Sequence, residues 1–340
     1  MKKSFWIAFW VVVFVTGPLF GEENPFRAPA DRSVDIQHLK LELEVFLSEK
    51  RIVGAEELSL RMRRPVRTLR LNAVDHEVQS VQVLEAGDER PRALPFDNTG
   101  TELVIDFGRL LPRGTACQLT IRYQVRAPRS GLHFFGPTEA EPDVPLMVWS
   151  QGEAESNRYW FPCLDHPNER QTTELIVTVP DGFEVVSNGV LVSRRKLPDQ
   201  QKVRFHWKQT RPHVAYLVSL VVGKFAVGRD TWRGRPVLYY VPPERAADIE
   251  RTFGRTVEML EFFSRRFGIE YPWEKYAQVV VEQFVMGGME NTSATTLHYR
   301  VMHDERAIQD SSPDGLIAHE LAHQWWGDLV TCKDWSHLWL

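Results

Sequence analysis

The chain has 340 residues, 43% of them apolar and 25% charged, with a net charge of −4. That is the profile of a globular protein able to bury a sizeable core, and its length suits two or three domains of about 100–200 residues each. It excludes a basic field for nucleic acid, and an odd set of three cysteines (Cys117, Cys163 and Cys332) excludes a disulfide framework while leaving one disulfide open.

The N-terminus reads as a targeting segment. Lys2 and Lys3 precede an unbroken apolar run from Phe5 to Val15, Gly17-Pro18 breaks it, and Gly21 offers a small residue ahead of Glu22-Glu23. This is signal-peptide anatomy for residues 1–21. An uncleaved membrane anchor is the other reading, although the stretch through Phe20 is short for a bilayer span. Either way the rest of the chain is expected outside the cytoplasm, secreted or periplasmic, with membrane contact only if the segment stays attached.

Residues 33–226 read as an all-β domain. Leu39, Leu41, Leu43 and Val45 alternate with polar residues, as do Leu58, Leu60 and Met62, and then Leu119, Ile121, Tyr123 and Val125. Period-two alternation marks strands with one buried face. Asp97-Asn98-Thr99-Gly100, Pro180-Asp181-Gly182 and Ser187-Asn188-Gly189 punctuate them as turns. Many short strands with regular turns predict a sandwich or saddle-shaped sheet.

The pattern changes after residue 226, and residues 227–340 read as the first part of an α+β domain. Val237 to Val241 is an apolar strand closed by Pro242-Pro243. Ile249, Phe253, Val257, Leu260 and Phe263 recur at helical spacing, predicting a helix from about Glu244 to Phe267 that Gly268 stops. Ala277 to Phe284 reads as a strand, with Gly287-Gly288 interrupting it. Ser312-Pro313 signals the start of a second helix, running to about Trp326, where Gly327 can end it. Trp325, Trp326, Trp335 and Trp339 are expected to pack as core around it.

That helix carries His319-Glu320-Leu321-Ala322-His323. Four residues apart, the two imidazoles share one face, one turn apart. Each can give a nitrogen to a single zinc ion. Glu320 sits beside the metal position without being needed as a ligand, where it can take a proton from an activated water. This is the H-E-x-x-H arrangement of zinc peptidases. Leu316, Ile317, Leu321, Ala322 and Trp325 supply a face that can be buried.

Three motifs together carry a resemblance. They are LIAHELAHQWWGDLVTCKDWSHLWL from Leu316 to Leu340, Gly287-Gly288-Met289-Glu290-Asn291, and Gln151-Gly152-Glu153-Ala154-Glu155 ahead of Trp160-Phe161-Pro162-Cys163-Leu164-Asp165-His166-Pro167. From about residue 33 onward the chain resembles the aminopeptidase N family of gluzincin zinc metallopeptidases. Taken singly, a Gly-Gly pair is a turn and Glu153 and Glu155 are solvated charges; the order and co-occurrence make the resemblance specific.

The resemblance implies a thermolysin-like catalytic domain behind the β domain, one zinc ion, and peptide substrates with a free N-terminus. His319 and His323 would bind the zinc, with Glu320 as general base. Glu153 and Glu290 would bind the substrate's α-amino group. Gly287 and Gly288 would let the substrate backbone pair with a strand edge, Gln151 and Asn291 would position it, and Met286 and Met289 would line the pocket for its first side chain. The family's third zinc ligand, a Glu in H-E-x-x-H-x18-E, would fall at position 342, after Leu340, as would its transition-state Tyr. The expectation is therefore a truncated front part of a longer enzyme, one ligand short. An epoxide hydrolase-type relative and a non-catalytic peptide-binding fragment are the alternatives. Glu153 speaks for the peptidase, because an amide residue is expected there in the epoxide-opening branch.

Overall fold

The computed structural model describes residues 32–338. The proposed targeting segment, residues 1–21, lies outside the described residues, as do Trp339 and Leu340.

The alternating strands form an eight-stranded sheet. From one edge its members are Val190–Leu197, Lys202–Val214, Arg170–Pro180, Val34–Phe46, Arg51–Met62, Ala116–Arg126, Glu77–Glu85 and Arg92–Ala93. Val34–Phe46 and Arg170–Pro180 run parallel, and the other pairs are antiparallel. Leu39, Leu41, Leu43 and Val45 are all buried on one face, as are Leu119, Ile121, Tyr123 and Val125. Each such side chain contributes about 1.5–3 kcal/mol by leaving water. A three-stranded sheet (Val66–Asn72, Glu102–Leu111, Phe96–Asn98) and a four-stranded one (Glu184–Ser187, Leu220–Gly223, Met147–Ser150, Leu132–Phe135) contribute residues to the same core. This is the multi-sheet β architecture expected of the front of the chain.

The α+β part follows, around a five-stranded sheet. Its order is Ala226–Trp232, Arg235–Val241, Tyr276–Val281, Ala294–His298 and Gly288–Met289. The three middle strands are parallel, and Gly288–Met289 is a short antiparallel edge. Helices cover one side, their apolar residues packed with Trp232, Tyr239, Tyr271 and Trp273. The other side meets the four-stranded sheet: Trp149, Tyr216 and Val221 pack with Leu238, Val279, Phe284 and Met289 in one continuous cluster.

Three expectations need correction. The helix drawn from Glu244 to Phe267 is broken: a 3-10 turn at Pro243–Asp248 leads into Ile249–Phe253, and a second helix spans Thr256–Phe267. Gly254, a weak helix former, sits at the break; the predicted stop at Gly268 holds, in the left-handed conformation. The motif helix is Asp314–His323, three residues shorter than predicted, because the chain turns beyond His323 and bridges Trp326 to Val330. Ser312 accepts the amide of Asp314 there, at 3.2 Å. Trp326 is 46% exposed, so it is not core, whereas Trp325 is buried. All three cysteines are free thiols.

Candidate metal and substrate site

The helix Asp314–His323 buries Ile317 and Leu321 and turns its histidines outward. Helical spacing brings the two Nε2 atoms to 3.1 Å of each other. Two zinc–nitrogen bonds of about 2.0–2.1 Å at a tetrahedral angle span about 3.3 Å, so the pair fits one ion. On the far side of the His323 ring, Nδ1 lies 2.8 Å from the carbonyl oxygen of Trp326. Nδ1–H donating to that carbonyl leaves the Nε2 lone pair free to ligate, the usual outer-shell arrangement of a metal-binding histidine. Among the described residues no group of three or more potential ligands converges on one point.

Glu320 points toward Gly288 on the edge strand. A β-carbon at Gly288 would lie 2.5 Å from the carboxyl carbon of Glu320 and 2.7 Å from its Cγ. Only glycine leaves the carboxylate room in this position. Glu320 is buried and its Oε2 has no hydrogen-bond partner. Burial, with the charges of Glu290 and Glu153 added, pushes its carboxyl up to about 8. Glu153 is pushed up to about 7, again by burial first and then by Glu290. Three carboxylates crowded in one cleft are costly unless cations join them. Two imidazole nitrogens at the mouth of an anionic cleft therefore fit a dication chemically.

A cavity of about 390 Å³ opens over this group, lined among others by Glu153, Glu290, Met286, Gly287, Tyr216 and Trp326. Of the residues singled out in the sequence, His319, Glu320, His323, Glu153, Glu290, Gly287 and Gly288 meet here. Gly288–Met289 is the outermost strand of its sheet, so its far edge carries no strand partner among the described residues. Gln151, Met289 and Asn291 lie behind this wall. The Gln151 amide donates to the sulfur of the buried Met289 at 3.2 Å, and the Asn291 amide donates to Thr296 Oγ1 at 3.2 Å.

Sequence reasoning missed the residues that brace the site. Gln324 ties the helix to the glycine-bearing segment: its amide donates to the Glu290 carbonyl at 2.8 Å and its Oε1 accepts the Ser293 amide at 2.8 Å. Its place directly after His323 was the one available signal. Lys275, fully buried, donates to the carbonyls of Ser187 (2.8 Å) and Ser293 (2.7 Å). Asn188 and Gly189, predicted as part of a turn, donate to the Thr292 carbonyl (2.7 Å) and Ser293 Oγ (2.8 Å). Burial drives the Lys275 ammonium well below the usual lysine range. Nothing local in the sequence marks these as partners of a segment 18 to 104 residues away.

A multi-sheet β part, an α+β part behind it and a paired-histidine helix facing a glycine-bearing strand edge together define a metallopeptidase architecture. Comparison with known proteins agrees. Residues 36–217 match the peptidase M1 N-terminal domain and residues 251–340 match the peptidase family M1 domain. The chain belongs to peptidase family M1, the aminopeptidase N family. It is similar to glutamyl aminopeptidase of Mus musculus, 26% identical over 94% of this chain and 35% of that protein. It is 28% identical to aminopeptidase B of Rattus norvegicus (92% of this chain, 49% of that protein). It is 29% identical to probable aminopeptidase 2 of Sulfurisphaera tokodaii (73% and 31%). The chain thus spans from about a third to about half of the length of these relatives.

Proposed function

We propose that this chain supplies the β module, two zinc ligands and the general base of a zinc-dependent aminopeptidase, with residues 33–226 as the β domain and residues 227–340 within the catalytic domain. The observation that carries the reading is the 3.1 Å convergence of His319 and His323 in a cleft shared with Glu320, Glu153 and Glu290.

Zinc, when bound, supplies polarisation of the scissile carbonyl and a lowered pKa for water. Glu320 takes the proton of the attacking water and delivers it to the leaving amine. Glu153 and Glu290 receive the substrate's ammonium group, and charge-assisted hydrogen bonds to it are about twice as strong as neutral ones. Set at fixed distance from the histidines, they select a peptide end over a peptide middle. The strand edge at Gly288–Met289 offers backbone groups for the substrate to pair with. The N-terminal Lys2-Lys3 and Phe5–Val15 pattern supports export of this enzyme from the cytoplasm; no helix among the described residues is long and apolar enough to cross a membrane.

The test is Glu320→Gln in the full-length protein, assayed on an aminoacyl-arylamide and, in parallel, on an epoxide. The variant is expected to keep zinc and lose turnover by about 100-fold or more. Near-normal turnover would remove Glu320 from the role of base, and epoxide opening without amide cleavage would replace the peptidase reading.

A further inference from the structure

We infer that Arg170, on the β module, is a positioning residue for the zinc ligand His323. The inference rests on the zinc reading above.

Arg170 opens the strand Arg170–Pro180 of the eight-stranded sheet. Its guanidinium leaves that sheet and grips the turn that follows the motif helix. Nη1 donates to Thr331 Oγ1 at 2.6 Å, and Nη2 donates to the Asp328 carbonyl at 2.8 Å and the Pro212 carbonyl at 3.0 Å. Thr331 passes the link on, its hydroxyl donating to the Gly327 carbonyl at 2.6 Å. The same turn is sewn to the end of the helix: the Asp328 amide donates to the His323 carbonyl at 3.1 Å, and the Val330 amide to the Trp325 carbonyl at 3.0 Å. Between these two anchors lies Trp326, whose carbonyl holds His323 Nδ1. Gly327 packs on the same ring, with room for a β-carbon only at 3.4 Å from Nδ1.

The turn carries a buried carboxylate, Asp328, beside Thr292. Arg170 is the cation whose charge acts on it. A planar five-donor fork serves two acceptors on the turn and one on the β module from two separate nitrogens in a fixed geometry. The orientation of His323 is thereby referenced to a strand 153 residues upstream, a distance read from the two residue numbers. The β module acts as part of the framework of the zinc site.

The experiment uses the natural full-length protein. Arg170→Ala, Thr331→Val and the double variant are freed of metal, and their zinc affinity is measured by competition with a chromophoric chelator. Melting of the metal-free protein is recorded alongside, and kcat and KM are taken at saturating zinc. Each single variant is expected to bind zinc about tenfold or more weakly, in line with the cost of losing outer-shell support. The double variant should be no worse than the poorer single, because both cut one chain of hydrogen bonds. An Arg that merely fastened two modules would lower the melting temperature and leave zinc affinity within twofold; that result overturns the inference. If Arg170→Ala does not fold, Thr331→Val decides, since it removes the Thr331 arm of the link while the bond to the Asp328 carbonyl and the charge remain. Failure of the wild-type protein to bind zinc would instead refute the proposed function itself, and the inference with it.

Discussion

Gly288 and Glu320 fit together only because Gly288 has no side chain: a β-carbon there would lie 2.5 Å from the Glu320 carboxyl carbon. Real β-carbons do not approach other atoms so closely, so either the strand edge or the carboxylate would have to move. Gly288→Ala is expected to lower kcat of the full-length enzyme about 100-fold, the scale of a displacement near 1 Å at a catalytic group. Gly287→Ala makes the control. Its β-carbon would meet a terminal methyl of Leu316 at 3.2 Å, and a flexible side chain can give way. Steady-state kinetics of the two variants side by side check this; equal losses would mean that the glycines serve the substrate and not the base.

The charge of the cleft predicts substrate preference. Glu153, Glu290 and Glu320 face it, and no lysine or arginine lines it among the described residues. Bringing a like charge against buried carboxylates costs several kcal/mol. The expected order of kcat/KM places leucyl- and arginyl-arylamides at least tenfold above the glutamyl-arylamide, unlike what the names of the glutamyl aminopeptidases suggest for those relatives. Preference for the glutamyl substrate would contradict it.

Lys275 joins the β module to the segment carrying Glu290. Its ammonium serves two buried carbonyls; in Lys275→Met the Ser293 carbonyl keeps the Ala277 amide as a donor, and the Ser187 carbonyl loses the one Lys275 gave it. At about 1–3 kcal/mol for an abandoned acceptor, the variant should lose roughly 1–3 kcal/mol. Urea denaturation followed by tryptophan fluorescence measures this. A loss under 1 kcal/mol would show that the Ser187 carbonyl finds another partner.

His213 predicts an acid limb of stability. It is fully buried, with Nε2 2.9 Å from Thr173 Oγ1, and burial and then the Arg170 charge hold its pKa down to about 3. An unfolded histidine titrates near 6.5. As pH falls from about 6.5 toward about 3, the unfolded chain takes up a proton that the folded one does not, so stability is lost across that window. His213→Gln removes this contribution. The stability difference between wild type and variant should shrink by roughly 1 kcal/mol per pH unit below about pH 6. Denaturation at pH 7.5, 6 and 5 gives the slope; a constant difference would place the proton elsewhere.

Much of this molecule is local, and local order is legible. Alternation at Leu39–Val45 and Leu119–Val125 was enough to place strands and their buried faces, because a strand repeats every two residues. Spacing of four put His319 and His323 on one helical face, because a helix repeats every 3.6 residues. Those two periods, with the GGMEN and Gln151–Glu153 stretches, were enough for the class of fold and for the proposed metal-binding pair and base. Local reading failed where packing intervened. Gly254 divides a helix whose apolar periodicity continues through the break, and the chain leaves the helix after His323 although Gln324, Trp325 and Trp326 read as helical.

What only the tertiary structure decided is how separate segments hold one another. That Gly288 makes room for Glu320, that Gln324 ties the helix to Glu290, that Lys275 and Asn188 grip the Thr292–Ser293 backbone, and that Arg170 reaches the turn behind His323 are all contacts between residues far apart in the chain. No periodicity encodes them. A hydrogen bond between distant residues depends on the relative placement of whole sheets and helices, and that placement comes from the summed burial of the core, of which any single donor or acceptor is a small part.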